Sequence, residues 1–172
     1  MTRARIALVG ASGFFGKPLF SALSDSFDVI GTGQTRPEKE MVLLDICDAK
    51  AVRDFFSREK PELVVNLAAI TDVDACEKNP EQAQAVHVSG TQNLADACQK
   101  SNCRFFYFST DFVFDGTKGN YSESDPVNPI NVYGKTKWEG EKIAQTVPEH
   151  LIIRTSTPYS QNLESKKFIN IL

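Results

Sequence analysis

The sequence is poor in the residues that build metal centres and covalent scaffolds. It has two histidines, His87 and His150, and four cysteines, Cys47, Cys76, Cys98 and Cys103, with no C-x-x-C pair. That spacing offers no metal-ligand cluster. A chain of 172 residues needs no disulfide staples, so reduced thiols and a cytoplasmic location are the expectation. Long hydrophobic runs are also missing. The stretch 63–70 is short and interrupted, far below the ~20 residues of a membrane span. Arg3 and Arg5 precede an apolar run, as in an export signal. Gly10, Gly13 and Gly16 break that run and Lys17 and Pro18 follow it, so export is not expected. No block of basic residues stands out in a chain of net charge −3. Electrostatic capture of nucleic acid or of a membrane surface is therefore excluded as an expectation.

What is present is alternation. Apolar runs at 5–9, 27–31, 41–44, 63–67, 104–109 and 151–154 read as strands, most of them buried. Helical patterns separate them at 14–23, 49–59, 79–100 and 132–146. Asp48 is placed to cap the second helix, and Asn79, Pro80 and Gln82 form a helix-start signal for the third. Gly90 interrupts that third helix and suggests close packing. Such alternation predicts an α/β fold with a Rossmann-like, doubly wound parallel sheet. The segment 112–131 is long for a connection and carries Gly116, Gly119, Pro126 and Pro129, which marks it as functional or mobile.

The first strand runs into Gly10-Ala11-Ser12-Gly13-Phe14-Phe15-Gly16, and a helix follows. Glycines in that context permit a tight turn, let backbone approach a pyrophosphate and let helix pack on strand. The helix N-terminus then offers N–H groups and a favourable dipole to the anion. A dinucleotide loop is the expectation, against a plain turn. An NAD site usually carries an acid about 20 residues beyond such a loop. Here the chain runs on from the second strand through Arg36, and no acid stands between Asp28 and Glu38. Arg36 is suited to a 2′-phosphate, so NADP(H) is favoured while NAD(H) stays open. Asp45 is a candidate acceptor for an adenine amino group, or else a carboxylate flanking the next helix.

Tyr133 and Lys137 lie four apart on a predicted helix and share one face. A phenol is a poor acid near neutrality. A cation at ~5 Å, at an effective dielectric of ~20, favours the phenolate by roughly 3 kcal/mol, about a hundredfold in acidity. Ser109-Thr110-Asp111 ends the aromatic strand, where open α/β sheets bind their ligands, so a hydroxyl there can meet a substrate carbonyl. Turn chemistry is the plainer reading of the same residues. Asn66-Leu67-Ala68-Ala69 ends another strand with small side chains that admit a flat cofactor.

Together these segments, with Ser109-Thr110-Asp111-Phe112-Val113-Phe114-Asp115-Gly116 and Tyr133-Gly134-Lys135-Thr136-Lys137, resemble the extended short-chain dehydrogenase/reductases. The branch they are most similar to is that of the dTDP-4-dehydrorhamnose reductases. The resemblance implies an NAD(P)H-dependent reductase of a nucleotide-sugar 4-ketone. Tyr133 would donate the proton, Lys137 would bind the nicotinamide ribose and lower the phenol pKa, and Thr110 would orient the carbonyl. Cofactor contacts would come from Gly10, Ser12, Gly13, Phe14, Phe15, Gly16, Arg36, Asp45, Ile46, Asn66, Ala68, Ala69, Ser109, Tyr133 and Lys137. It also implies residues 1–155 as the nucleotide-binding domain and 156–172 as the start of an incomplete substrate-binding region, from a fragment or a reduced form. A homodimer or a protein partner is open. His87 stands where many extended relatives carry Asn, which bears on proton relay to Lys137. A second resemblance is to the regulatory beta subunit of methionine adenosyltransferase, which implies a non-catalytic dinucleotide binder.

Overall fold

The computed structural model describes residues 3–35 and 41–156. Its centre is a six-stranded sheet in the order β3-β2-β1-β4-β5-β6. The strands are β1 Arg5–Val9, β2 Asp28–Gly33, β3 Val42–Leu43, β4 Leu63–Asn66, β5 Arg104–Thr110 and β6 His150–Thr155. All pairings are parallel. The order reverses between β1 and β4, the switch point where doubly wound sheets open a crevice at their carboxyl ends.

Alternation along each strand sends side chains to two cores. Ala7 and Val9 of β1, with Val64, Phe105 and Tyr107, face one cluster that includes Val52, Phe55, Leu94, Cys98 and Ala144. Those residues come from α2 (Ala49–Glu59), α5 (Thr91–Ser101) and α6 (Val132–Ala144). Ile6 and Leu8 face the other cluster, against Leu19 and Phe20 of α1 (Gly16–Ser24). Pro18 falls in the first turn of α1, where its missing N–H costs little. Asp48 caps α2 by accepting from the N–H groups of Lys50 and Ala51.

The expected helix over 79–100 is three pieces. α4 (Pro80–Gln84) passes into a π-helical segment, Ala85–Gly90, before α5 resumes. Gly90 is packed as expected, since a Cβ there would lie 2.6 Å from the Ile46 side chain. One helix is additional to the sequence reading: α3, Val73–Lys78, capped by Asp72 accepting from Ala75 N–H. Among the described residues, no helix is long and apolar enough to cross a membrane.

Candidate functional site

The glycine loop is built by close approach. Gly10 adopts φ +83°, and a Cβ on it would stand 3.0 Å from the Ala68 nitrogen at the end of β4. Glycine is required there both for the left-handed backbone and for the contact. A Cβ on Gly16 would overlap the Gly10 carbonyl and the Ala11 backbone. The loop is fixed by Gly13 N–H donating to Gly10 O (3.0 Å) and Ala11 N–H donating to Thr32 O (2.8 Å). α1 then begins with no side-chain cap, an arrangement open to an anion.

Beside this loop lies a cleft of ≈ 340 Å³. Of the expected cofactor residues, Gly10, Ser12, Gly13, Asp45, Ile46, Ala68 and Ala69 line it. Thr32, which sequence reasoning passed over, also lines it, and its buried hydroxyl has no hydrogen-bond partner among the described residues. A buried hydroxyl without a partner is costly unless a ligand supplies one. The glycine cradle and this orphaned hydroxyl both fit a dinucleotide.

The other expected cofactor residues take different places. Asn66 is buried and does not line the cleft, accepting from Ala68 N–H and donating to Thr91 Oγ1. Phe14, Phe15 and Gly16 form the entry to α1 rather than the cleft wall, with the Phe15 ring 5.9 Å from Phe108. Ser109 is buried at the end of β5 with its hydroxyl donating to Glu141, and it is not among the residues that line this cleft. Asp45 uses one oxygen to accept from Cys47 N–H. Arg36 lies outside the described residues, as does the stretch beyond Ser156.

Tyr133 and Lys137 are both buried on α6. The Tyr133 ring is held edge-on between His87 (5.7 Å) and Phe112 (5.6 Å). Burial pushes its phenol above the ordinary range, and only the Thr110 hydroxyl draws it back. Lys137 is not among the groups acting on the phenol in this arrangement. The Lys137 ammonium donates to Phe108 O at 2.6 Å and lies 4.2 Å from the centre of the Tyr107 ring. Its own pKa is lowered by burial to about 7.

His87 is fixed as a neutral base. Its Nε2 accepts from Ile70 N–H at 2.9 Å, so Nδ1 carries the proton toward Thr136 Oγ1 at 2.8 Å. Burial lowers its pKa to about 3, and Lys137 adds to the effect. The imidazole thus ties the π segment to α6 and to the turn after β4 rather than titrating near neutrality.

Two further parts of the site were not foreseen. Glu141, fully buried, takes two bonds from Arg154 (2.9 and 2.7 Å) and one from Ser109. It stands four residues beyond Lys137, so the helical spacing that paired Tyr133 with Lys137 could have extended to it. Asp115 organises the segment 112–131 by accepting from Thr117, Tyr121 and Asn128. That folded loop, with Arg154 and Ser156, borders a second cleft of ≈ 810 Å³. Among the described residues no group of three or more potential ligands could hold a metal ion.

Sheet order, switch-point cleft and glycine loop define the Rossmann-like class of doubly wound α/β proteins. A family model described as the RmlD substrate binding domain matches residues 4–172. The chain belongs to this family, within the extended short-chain dehydrogenase/reductases. It is 36% identical over 162 residues to a dTDP-4-dehydrorhamnose reductase of Aggregatibacter actinomycetemcomitans, covering 92% of this chain and 53% of that protein. It is 35% identical over 139 residues to methionine adenosyltransferase 2 subunit beta of Xenopus tropicalis, covering 80% and 42%. A crystal structure of dTDP-4-dehydrorhamnose reductase from Bacillus anthracis in complex with NADP superposes with TM-score 0.89 at 30% identity, covering 99% of this chain and 58% of that one. The chain spans about half the length of the curated relatives it matches.

Proposed function

We propose that the chain is the nucleotide-binding and catalytic part of an NAD(P)H-dependent reductase acting on the 4-ketone of a nucleotide-linked deoxysugar. The observation that carries this reading is the gathering of Thr110, Tyr133 and Lys137 where β5 ends and α6 begins. In open sheets of this kind ligands bind at the carboxyl ends of the strands. The cofactor, when bound, supplies the hydride. The backbone of residues 10–16 holds its pyrophosphate at the start of α1. Thr110 donates to the carbonyl oxygen and fixes its direction. Tyr133 gives that oxygen a proton. Burial keeps the phenol protonated, the form from which a general acid starts. Lys137, one helical turn along α6, would hold the nicotinamide ribose when the cofactor is bound. Arg36 makes NADP(H) the preferred form, with NAD(H) usable.

The substrate clamp is assigned to sequence of the kind that fills the other half of the relatives. The test is therefore a chimera carrying the C-terminal half of the Aggregatibacter relative, given NADPH and a dTDP-linked 4-keto-6-deoxyhexose. NADPH oxidation that depends on the ketone is expected. A chimera that binds NADPH yet never oxidises it with the ketone would overturn the reading. The 35% identity to methionine adenosyltransferase 2 subunit beta supports a second reading, a dinucleotide-stabilised regulatory subunit. Stable co-purification with a methionine adenosyltransferase, without turnover of the ketone, would favour it.

A further inference from the structure

Lys137 and Glu141 meet consecutive residues of β5. The ammonium donates to the Phe108 carbonyl, and the carboxylate accepts from the Ser109 hydroxyl. The two groups are one helical turn apart on the same face of α6. Arg154 approaches the carboxylate from β6 with both Nε and Nη2. The backbone below is tied as well, since Thr155 Oγ1 donates to Ser109 O at 3.3 Å. The Glu141 carboxylate is thus held by three hydrogen bonds, one helical turn from the lysine.

We propose that Glu141 is a positioning residue of the site, whose clamped carboxylate keeps the buried Lys137 ammonium charged and directed at the end of β5. The inference rests on the reductase reading of Tyr133 and Lys137. Its basis is the charge balance of a buried cluster. With Glu141, two cations share one anion. Without it, Lys137 and Arg154 are two cations in low-dielectric surroundings, and the lysine is the one able to shed its proton. Burial draws Lys137 down to about 7, and the Glu141 charge acts in the opposite direction. The other titratable groups facing the ammonium are Tyr107 from β5, Tyr133 on α6 and His87 from the π segment. Asp111 and Cys76 stand beyond Tyr133 and act on its phenol. Burial opposes charge on His87 and on both tyrosines, so near neutrality none of the three replaces Glu141 as a counter-charge.

The test is a titration of the 172-residue chain with ¹³C-labelled lysine, read by NMR without nucleotide, with the Lys137 signal assigned from Lys137→Met. In Glu141→Gln the Lys137 midpoint is expected to fall by one pH unit or more, while the signals of the other lysines do not move between the natural sequence and the variant. Glu141→Gln combined with Arg154→Met removes the neighbouring guanidinium together with the carboxylate and should also shift the midpoint downward, by less. If the single variant does not fold, the double variant decides. An unchanged midpoint in a folded variant would overturn the proposal, because a merely structural glutamate leaves the lysine titration alone. Absence of ketone reduction together with a shifted midpoint would retire the reductase reading only. Normal reduction with an unshifted midpoint would retire this inference only.

Discussion

Tyr133 keeps its proton because it is wrapped by His87 and Phe112 and reached by Thr110. Tyr133→Phe removes the donor and little volume. In the chimera with a complete substrate half, we expect ketone reduction to fall by ~10²–10⁴, with NADPH affinity within about twofold by calorimetry. Normal turnover in that variant would assign the acid elsewhere. His87 gives a second residue-scale prediction. An unfolded imidazole titrates near ~6.5, while the folded one is held at about 3. Between those values the unfolded chain binds the proton and the native chain does not. The stability tied to this group is therefore full above ~6.5 and is lost as pH falls toward 3. His87→Gln should show a drop in unfolding free energy between pH 6.5 and 4.5 that is smaller by roughly 2–3 kcal/mol. Urea titrations at the two pH values read this, and equal drops would refute the neutral buried assignment. At this scale the Tyr–Lys spacing was legible because one helical face declares it. Glu141 was not, because a charged residue on an amphipathic helix normally faces water, and its partner Arg154 arrives only when β6 pairs with β5. The bond from Ser109 to Glu141 was hidden for the same reason.

At the scale of elements, the loop and its helix were legible and the third helical run was not. The glycine spacing after β1 states its own backbone geometry, whereas a periodic pattern over 79–100 does not reveal where extra residues widen the turn. π turns often occur at functional sites, and this one places His87 against α6 and Gly90 against Ile46. α3 escaped because six residues give less than two turns of periodicity. Its capping acid, Asp72, was the available signal. Gly90→Ala tests the packing. The helix propensity gain of ~1 kcal/mol is opposed by a methyl 2.6 Å from the Ile46 side chain. We expect net destabilisation of about 1–3 kcal/mol in urea. Weaker NADPH binding should accompany it, because Ile46 lines the cleft. Unchanged stability and affinity would show that Ile46 yields freely.

For the whole molecule, the sheet brings two clefts to the carboxyl ends of its strands. One is at the β1–β4 switch point, and the other lies beside the loop that Asp115 organises. Composition and alternation alone gave the parallel sheet, since each βα unit is locally encoded. The division between the clefts was not visible in the sequence, because it depends on how the segment 112–131 folds back on Arg154. The most direct measurement is calorimetric titration of the chain with NADPH, beside a Gly13→Val variant that crowds the Gly10 carbonyl. The account predicts one-to-one binding by the natural sequence, and binding at least tenfold weaker in the variant. No binding by the natural sequence, or equal binding by both, would contradict the assignment of residues 10–16 as a dinucleotide loop.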